Sequence, residues 1–300
     1  MSTTPPPRWR RVLRVLWLGL VVVVVAGVLV DRWDEVAGSL ADARPGWLVV
    51  SALLALAGVG ASGAMWRTLL AGLGSPLPLA AGARVFFVGQ LGKYLPGSIW
   101  PLLAQTELAR DHSVPARASF AAVALFMWTH LLTGAAVAAV GLSASGVVPW
   151  PVALLALPAV ALLAPRLLSA VLSGGLRMVR REPLAATPGG RAMTAAGAWA
   201  LLMWGCYGLH LMVAATAIGA GAPAALAAGT FAAAWCAGFL FVIAPAGVGV
   251  REAVMAGLLL PAMPAGPALA ATLVSRLFVT VADVAWGLAG LGVTRRPREP

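Results

Sequence analysis

Three stretches of this 300-residue sequence set charged and hydrogen-bonding side chains inside otherwise apolar runs. The first reads Arg84-Val-Phe-Phe-Val-Gly89-Gln90-Leu-Gly-Lys93-Tyr94-Leu-Pro96-Gly97-Ser98-Ile-Trp100, and Lys93 is the only lysine in the chain. Gln90, Lys93 and Tyr94 stand at i, i+3 and i+4, on one face of a helix that Pro96-Gly97 then stops. Lys93 can cap that helix end or snorkel to the interface, or it can hold an anionic headgroup at a break in the membrane. The second stretch runs Pro245-Ala246-Gly247-Val248-Gly249-Val250-Arg251-Glu252. Its glycines allow a tight turn with inward amides before a helix start near Val250. A helix start beside an arginine suits a phosphate, while Glu252 suits the first helical turn and is within reach of Arg251. The third stretch places Arg276, Thr280 and Asp283 at i, i+4 and i+7. That face must point into a bundle, because Arg or Asp facing hydrocarbon costs roughly 2.5–3.5 kcal/mol on insertion scales. It reads as a mutual or cross-helix salt bridge, or as the partner that tunes Arg251 or Lys93.

The remaining polar residues have simpler readings. Glu107 and Arg110, at i and i+3, suit a solvated helix end with Asp111 and His112. His130 and His210 are single residues on apolar helices and read as hydrogen-bonded packing residues. Asp31, Asp34 and Glu35 read as solvated residues of a short loop. Cys206 and Cys236 read as buried packing residues, so neither a metal site nor a disulfide is expected.

The elements that must position these residues are membrane spans. Hydrophobic residues make up 61% of the chain and charged residues 10%, against about 25% charged in soluble domains. Spans are expected at about 12–30, 47–70, 118–141, 148–164, 195–219, 224–243 and 267–293, with broken or re-entrant segments at about 79–105 and 246–263. The fold class is therefore an all-α polytopic bundle of about seven to eight spans: a basic tail at 1–11, one transmembrane domain at 12–293 and a basic tail at 294–300. The net charge of +11 sits in short segments beside apolar runs, which points to a membrane and not to nucleic acid. The leading arginines Arg8, Arg10, Arg11 and Arg14 place the N-terminus in the cytoplasm, and the run after them reads as a retained first span. Arg166, Arg177, Arg180, Arg181 and Arg191 put a later loop on the same side. Arg295, Arg296 and Arg298 do so for the C-terminus, which requires one broken segment to cross.

In combination, the motifs at 89–100, 245–252 and 275–283 resemble the membrane region of the lysylphosphatidylglycerol synthase/flippase family, over about 45–293. The resemblance implies a bundle of about eight spans with re-entrant elements and, in its best-understood members, movement of an aminoacylated phospholipid between leaflets. It implies that Lys93, Tyr94, Pro96, Gly97, Gly247, Gly249, Arg251 and Glu252 line a central region. It does not extend to a soluble aminoacyl-transfer domain, so lipid synthesis is not expected. Relatives often carry a Glu or a Glu-Arg pair in the helix after the first motif, where 118–141 has only His130.

The reading is a plasma-membrane protein that binds and translocates a phospholipid or polyprenyl-linked lipid. Lys93, Tyr94, Arg251 and Glu252 would serve the headgroup, with Arg276 and Asp283 as supporting charges and Pro96, Gly97, Pro245, Gly247 and Gly249 as breaks. No cofactor, metal or nucleic-acid partner is expected, no catalytic constellation is recognisable, and the oligomeric state is left open. The alternatives are a membrane transferase using Asp31, Asp34 and Glu35, or a secondary transporter using Asp283.

Overall fold

The computed structural model describes residues 27, 30–94, 99–168, 170, 174, 188–241 and 245–292. The expected first span, the breaking pair Pro96-Gly97, both tails and Arg177, Arg180 and Arg181 fall outside these residues, apart from positions 27 and 30 of the first span.

Every regular element among the described residues is helical. A short helix α1 (Trp33–Ala41) leads into α2 (Pro45–Gly72), which opens on a proline whose fixed φ suits a first helical turn. Next comes α3 (Leu79–Ala83), which widens into a π-helical stretch at Arg84–Val88 and then tightens to a 3₁₀ turn at Leu91–Tyr94. Beyond it lie α4 (Trp100–Arg110) and α5 (Ala116–Ala144). A 3₁₀ turn at Trp150–Leu155 runs into α6 (Ala156–Ala161), and α7 (Gly190–Ala217) and α8 (Ala224–Leu240) follow. The last elements are a 3₁₀ turn at Pro245–Gly247, α9 (Val250–Leu259) and α10 (Ala265–Gly292).

The helices α2, α5, α7 and α10 are each long and apolar enough to cross a membrane. Each has 28 or 29 residues, roughly 42 Å at 1.5 Å per residue against a hydrocarbon core of about 30 Å. The segment expected as a span at 148–164 is shorter: its apolar helix is Trp150–Ala161. Prolines at 149, 151 and 158 deny it backbone donors and hold its first half in the 3₁₀ form.

Small residues let the long helices approach closely, as membrane packing requires in place of a hydrophobic drive. Where α5 crosses α8, Gly141 faces Gly229: a Cβ on Gly229 would lie 2.7 Å from the Leu142 amide nitrogen and 2.9 Å from the Gly141 carbonyl carbon. The most extensive helix pair is α2 with α7, and α10 packs against both. Inside this bundle Trp66, Phe86, Phe126 and Trp204 are fully buried, whereas Leu201, Leu277 and Leu288 stay exposed, as lipid-facing residues do.

Two polar residues of simple expectation turn out to tie elements together. Glu35, expected in solvent, is the first. Its Oε2 accepts the Gly266 amide at 3.1 Å, so α1 presents a carboxylate to the start of α10, while Oε1 takes Arg32 at 2.8 Å. His210 on α7 lies 2.9 Å from the Ser51 carbonyl through Nδ1 and 2.9 Å from Ser275 Oγ through Nε2. Nδ1 also lies 2.8 Å from Ser51 Oγ, so either tautomer finds a partner at both nitrogens. This bond set links α2, α7 and α10 with no ring nitrogen unused.

Gly229→Leu is expected to lower the melting temperature of the detergent-solubilised protein by the equivalent of about 1–3 kcal/mol, because backbone atoms cannot yield to the added side chain. Gly205→Ala, where nothing lies within 4 Å of an added Cβ, should leave it unchanged.

Candidate functional site

The two interrupted segments meet on α10. The 3₁₀ turn Leu91–Tyr94 and the turn Pro245–Gly247 touch one another, and α10 packs against α9 and the first turn. In the first segment the π-helical stretch and the 3₁₀ turn change the winding, so Gln90, Lys93 and Tyr94 do not share the single α-helical face their spacing suggests. Gln90 and Lys93 line a cavity, while Tyr94 turns to α10.

Asp283 is the anchor of that turn. Its Oδ2 takes Lys93 Nζ at 2.7 Å and the Tyr94 hydroxyl at 2.6 Å, and it is 6% exposed. A carboxylate so buried requires compensation, and two donors on one oxygen provide it. One helical stretch away, Arg276 Nε donates to Glu252 Oε1. The other Glu252 oxygen accepts the Gly249 amide at 2.6 Å. Glu252 is at the third position of α9, where reaching back to the residue before the helix satisfies an otherwise orphaned amide. So Arg276 and Asp283 pair across helices and not with each other, and Glu252 pairs with Arg276 instead of the adjacent Arg251.

The reason lies in helical geometry. Neighbours on a helix project about 100° apart, so Glu252 faces α10 while Arg251 faces the cavity. The Arg251 stem lies against two glycines: a Cβ on Gly247 would sit 2.8 Å from Arg251 Nε, and one on Gly238 would collide with Arg251 Cγ. Gly247 also has φ +71°, and it lies beside Ala246 at φ +50°, a left-handed pair that reverses the chain just before α9. The Arg251 guanidinium carbon lies 5.6 Å from the Trp235 ring centroid. Its Nε is buried without a hydrogen-bond partner, and among the described residues Arg251 makes no ion pair.

The cavity measures about 490 Å³, within the roughly 300–1,000 Å³ of ligand pockets. Its walls are largely aromatic, with Phe86, Phe126, Tyr207, Phe231, Trp235 and Phe239 among them. The charged lining residues are Lys93, Arg251, Arg276 and Asp283; Glu252 and Tyr94 stand behind them as partners. At the helix start Glu252 accepts the Gly249 amide, and the Arg251 side chain lines the cavity.

Several lining residues carry no sequence signal. Trp235, Gly238 and Phe239 come from α8 and Tyr207 from α7, far along the chain from either break. His130 differs from its expected role: it is 4% exposed and lines the cavity, yet neither ring nitrogen has a hydrogen-bond partner. Its ring stacks on Trp235 at 3.8 Å and 9°.

Residues 16–287 match the family model described as the lysylphosphatidylglycerol synthase TM region. The chain belongs to this family. A comparison with curated proteins gives no match. Membership makes the chain part of a membrane family connected with lipid, and the charges that its three motifs contribute surround one aromatic cavity.

Asp283→Asn should strand Lys93 and destabilise the protein by about 3 kcal/mol, less to the extent that Lys93 reaches water. Adding Lys93→Met should restore much of that loss. A double-mutant cycle of unfolding in detergent reads the coupling, expected at about 1–3 kcal/mol.

Proposed function

We propose that the protein binds the phosphate of a phospholipid or polyprenyl-linked lipid at Arg251 and carries the headgroup across the membrane through the aromatic cavity. The observation that carries this reading is Arg251 itself, a half-buried cation that lines the cavity, its Nε buried without a partner and, among the described residues, no carboxylate paired with it. An uncompensated charge in a low dielectric is unfavourable, and a phosphate diester relieves it by bidentate hydrogen bonding. Lys93 and Arg276 lie in the same lining but already hold Asp283 and Glu252. Their part is to keep the two breaks docked on α10 and to add positive potential around the phosphate.

In this reading the segments 79–105 and 246–263 are the re-entrant elements of one transmembrane domain in the plasma membrane, with the N-terminus in the cytoplasm. Irregular backbone at membrane depth is tolerated where it lines a wet cavity, and the reading is supported by Lys93, Ala246 and Gly247 of the two turns lining the cavity. A headgroup held between them shares their environment, while its acyl chains stay outside in lipid.

The test is a scramblase assay in liposomes with fluorescent phospholipid and the purified protein. Arg251→Gln should reduce movement at least about tenfold, the effect of losing one charged hydrogen bond of roughly 1.5–3 kcal/mol. Gly238→Ala should reduce it too, by displacing the Arg251 stem without removing its charge. Unchanged movement in Arg251→Gln would sink the reading.

A further inference from the structure

The cavity holds a second unused polar group besides Arg251, and it lies on the other side of the question of which lipid fits. His130, on α5, is buried at 4% exposure, and both Nδ1 and Nε2 are without a hydrogen-bond partner. His210 shows what the same side chain does when its role is structural: both of its nitrogens are occupied. A buried polar atom left without a partner costs about 1–3 kcal/mol, so a packing role alone would favour an apolar ring in the place of His130. The imidazole is positioned firmly all the same. It stacks on Trp235 at 3.8 Å, meets Phe126 edge-on at 5.4 Å and Trp204 edge-on at 5.0 Å. Trp235 is also the ring against which Arg251 lies, at 5.6 Å. One indole therefore sets both unused groups beside the same cavity.

Resting on the lipid-binding reading above, we infer that His130 selects the headgroup: the site takes a lipid of net negative charge whose headgroup is neutral and hydroxylated, a glycerol or a sugar. Two observations point there. Among the described residues the cations Lys93, Arg251 and Arg276 face two carboxylates, Asp283 and Glu252, which leaves one positive charge. A lipid of charge −1 neutralises it, a zwitterion leaves it standing, and an aminoacylated lipid of charge +1 adds to it. Phosphate oxygens at neutral pH only accept hydrogen bonds, and they satisfy Arg251. A neutral imidazole offers one donor and one acceptor, and a hydroxyl is the neutral group that matches both. An ammonium offers donors only, so it leaves the imidazole N–H unmatched, and the cations of the lining repel it in a low dielectric.

The experiment is native mass spectrometry of the full-length protein titrated with four lipids of identical acyl chains. Phosphatidylmethanol has charge −1 and no headgroup hydroxyl. Phosphatidylglycerol and phosphatidylinositol have charge −1 and a linear or cyclic polyol. Phosphatidylethanolamine is the zwitterion. The wild-type protein should bind at least one polyol lipid about tenfold more tightly than phosphatidylmethanol, the worth of one buried hydrogen bond. It should bind phosphatidylethanolamine more weakly than that polyol lipid. The better of the two polyols separates a glycerol from a sugar source. His130→Phe keeps an aromatic ring on Trp235, and it should erase the polyol preference while phosphatidylmethanol still binds. Equal wild-type affinity for phosphatidylmethanol and both polyols would overturn the role of His130, and so would a preference that survives in His130→Phe. Wild-type binding of phosphatidylethanolamine as tight as that of the polyols would overturn the charge argument. If phosphatidylmethanol binds and Arg251→Gln abolishes that binding, the phosphate site stands whatever His130 does. If the wild type binds none of the four, both readings fall. The comparison among wild-type affinities stands even if His130→Phe does not fold.

Discussion

A membrane interior gives a charged side chain no water to lean on, and the centre of this protein is organised around that constraint. α10 carries Arg276 and Asp283 on one face, and each finds its counter-charge on a different interrupted segment. Asp283 takes Lys93 and Tyr94 from the first, and Arg276 takes Glu252 from the second. Both turns are thus docked on one continuous helix by charges that would be costly to separate. The Glu252–Arg276 pair ties α9 to α10 in the same way.

With four of the five charges committed, the fifth defines the chemistry. Arg251 lies beside Glu252 in sequence but faces away from it, and Gly238 and Gly247 give its stem a slot. The surrounding walls are aromatic, so they contribute area and a quadrupole without contributing charge. An anion entering the cavity is met by one uncommitted guanidinium and by positive groups already neutralised close by. In the proposed reading, that arrangement suits a singly charged phosphate better than a multiply charged one.

His130 shows how little a single residue reveals of its surroundings. On an apolar helix with no carboxylate nearby in sequence, it has the same context as His210. In the fold His210 meets Ser51 and Ser275, whereas His130 meets Trp235, Phe126 and Trp204. Aromatic rings hold an imidazole without satisfying its nitrogens, and that difference belongs to helix rotation and to the neighbours it selects. The same holds for Glu35, whose acidic neighbours in sequence suggest a solvated loop and which, on α1, serves the start of α10.

The sequence by itself determined the all-helical membrane class and four of the seven full-length spans it suggested, 47–70, 118–141, 195–219 and 267–293, whereas 148–164 and 224–243 hold shorter apolar helices. Those features are local: apolar run length, proline and glycine positions, and the i, i+4, i+7 spacing of Arg276, Thr280 and Asp283. Helix α9 begins at Val250, as the glycine-framed turn before it indicates. Only the tertiary structure decided which charges pair. Glu252 turned from its neighbour Arg251 to Arg276, 24 positions away, and Asp283 joined Lys93 rather than Arg276. Residues adjacent in sequence point to different sides of a helix, and in a low dielectric the nearest opposite charge in space wins over the nearest in the chain. The uncommitted Arg251 and the cavity it faces are consequences of that choice, made by helices whose contacts no local pattern encodes.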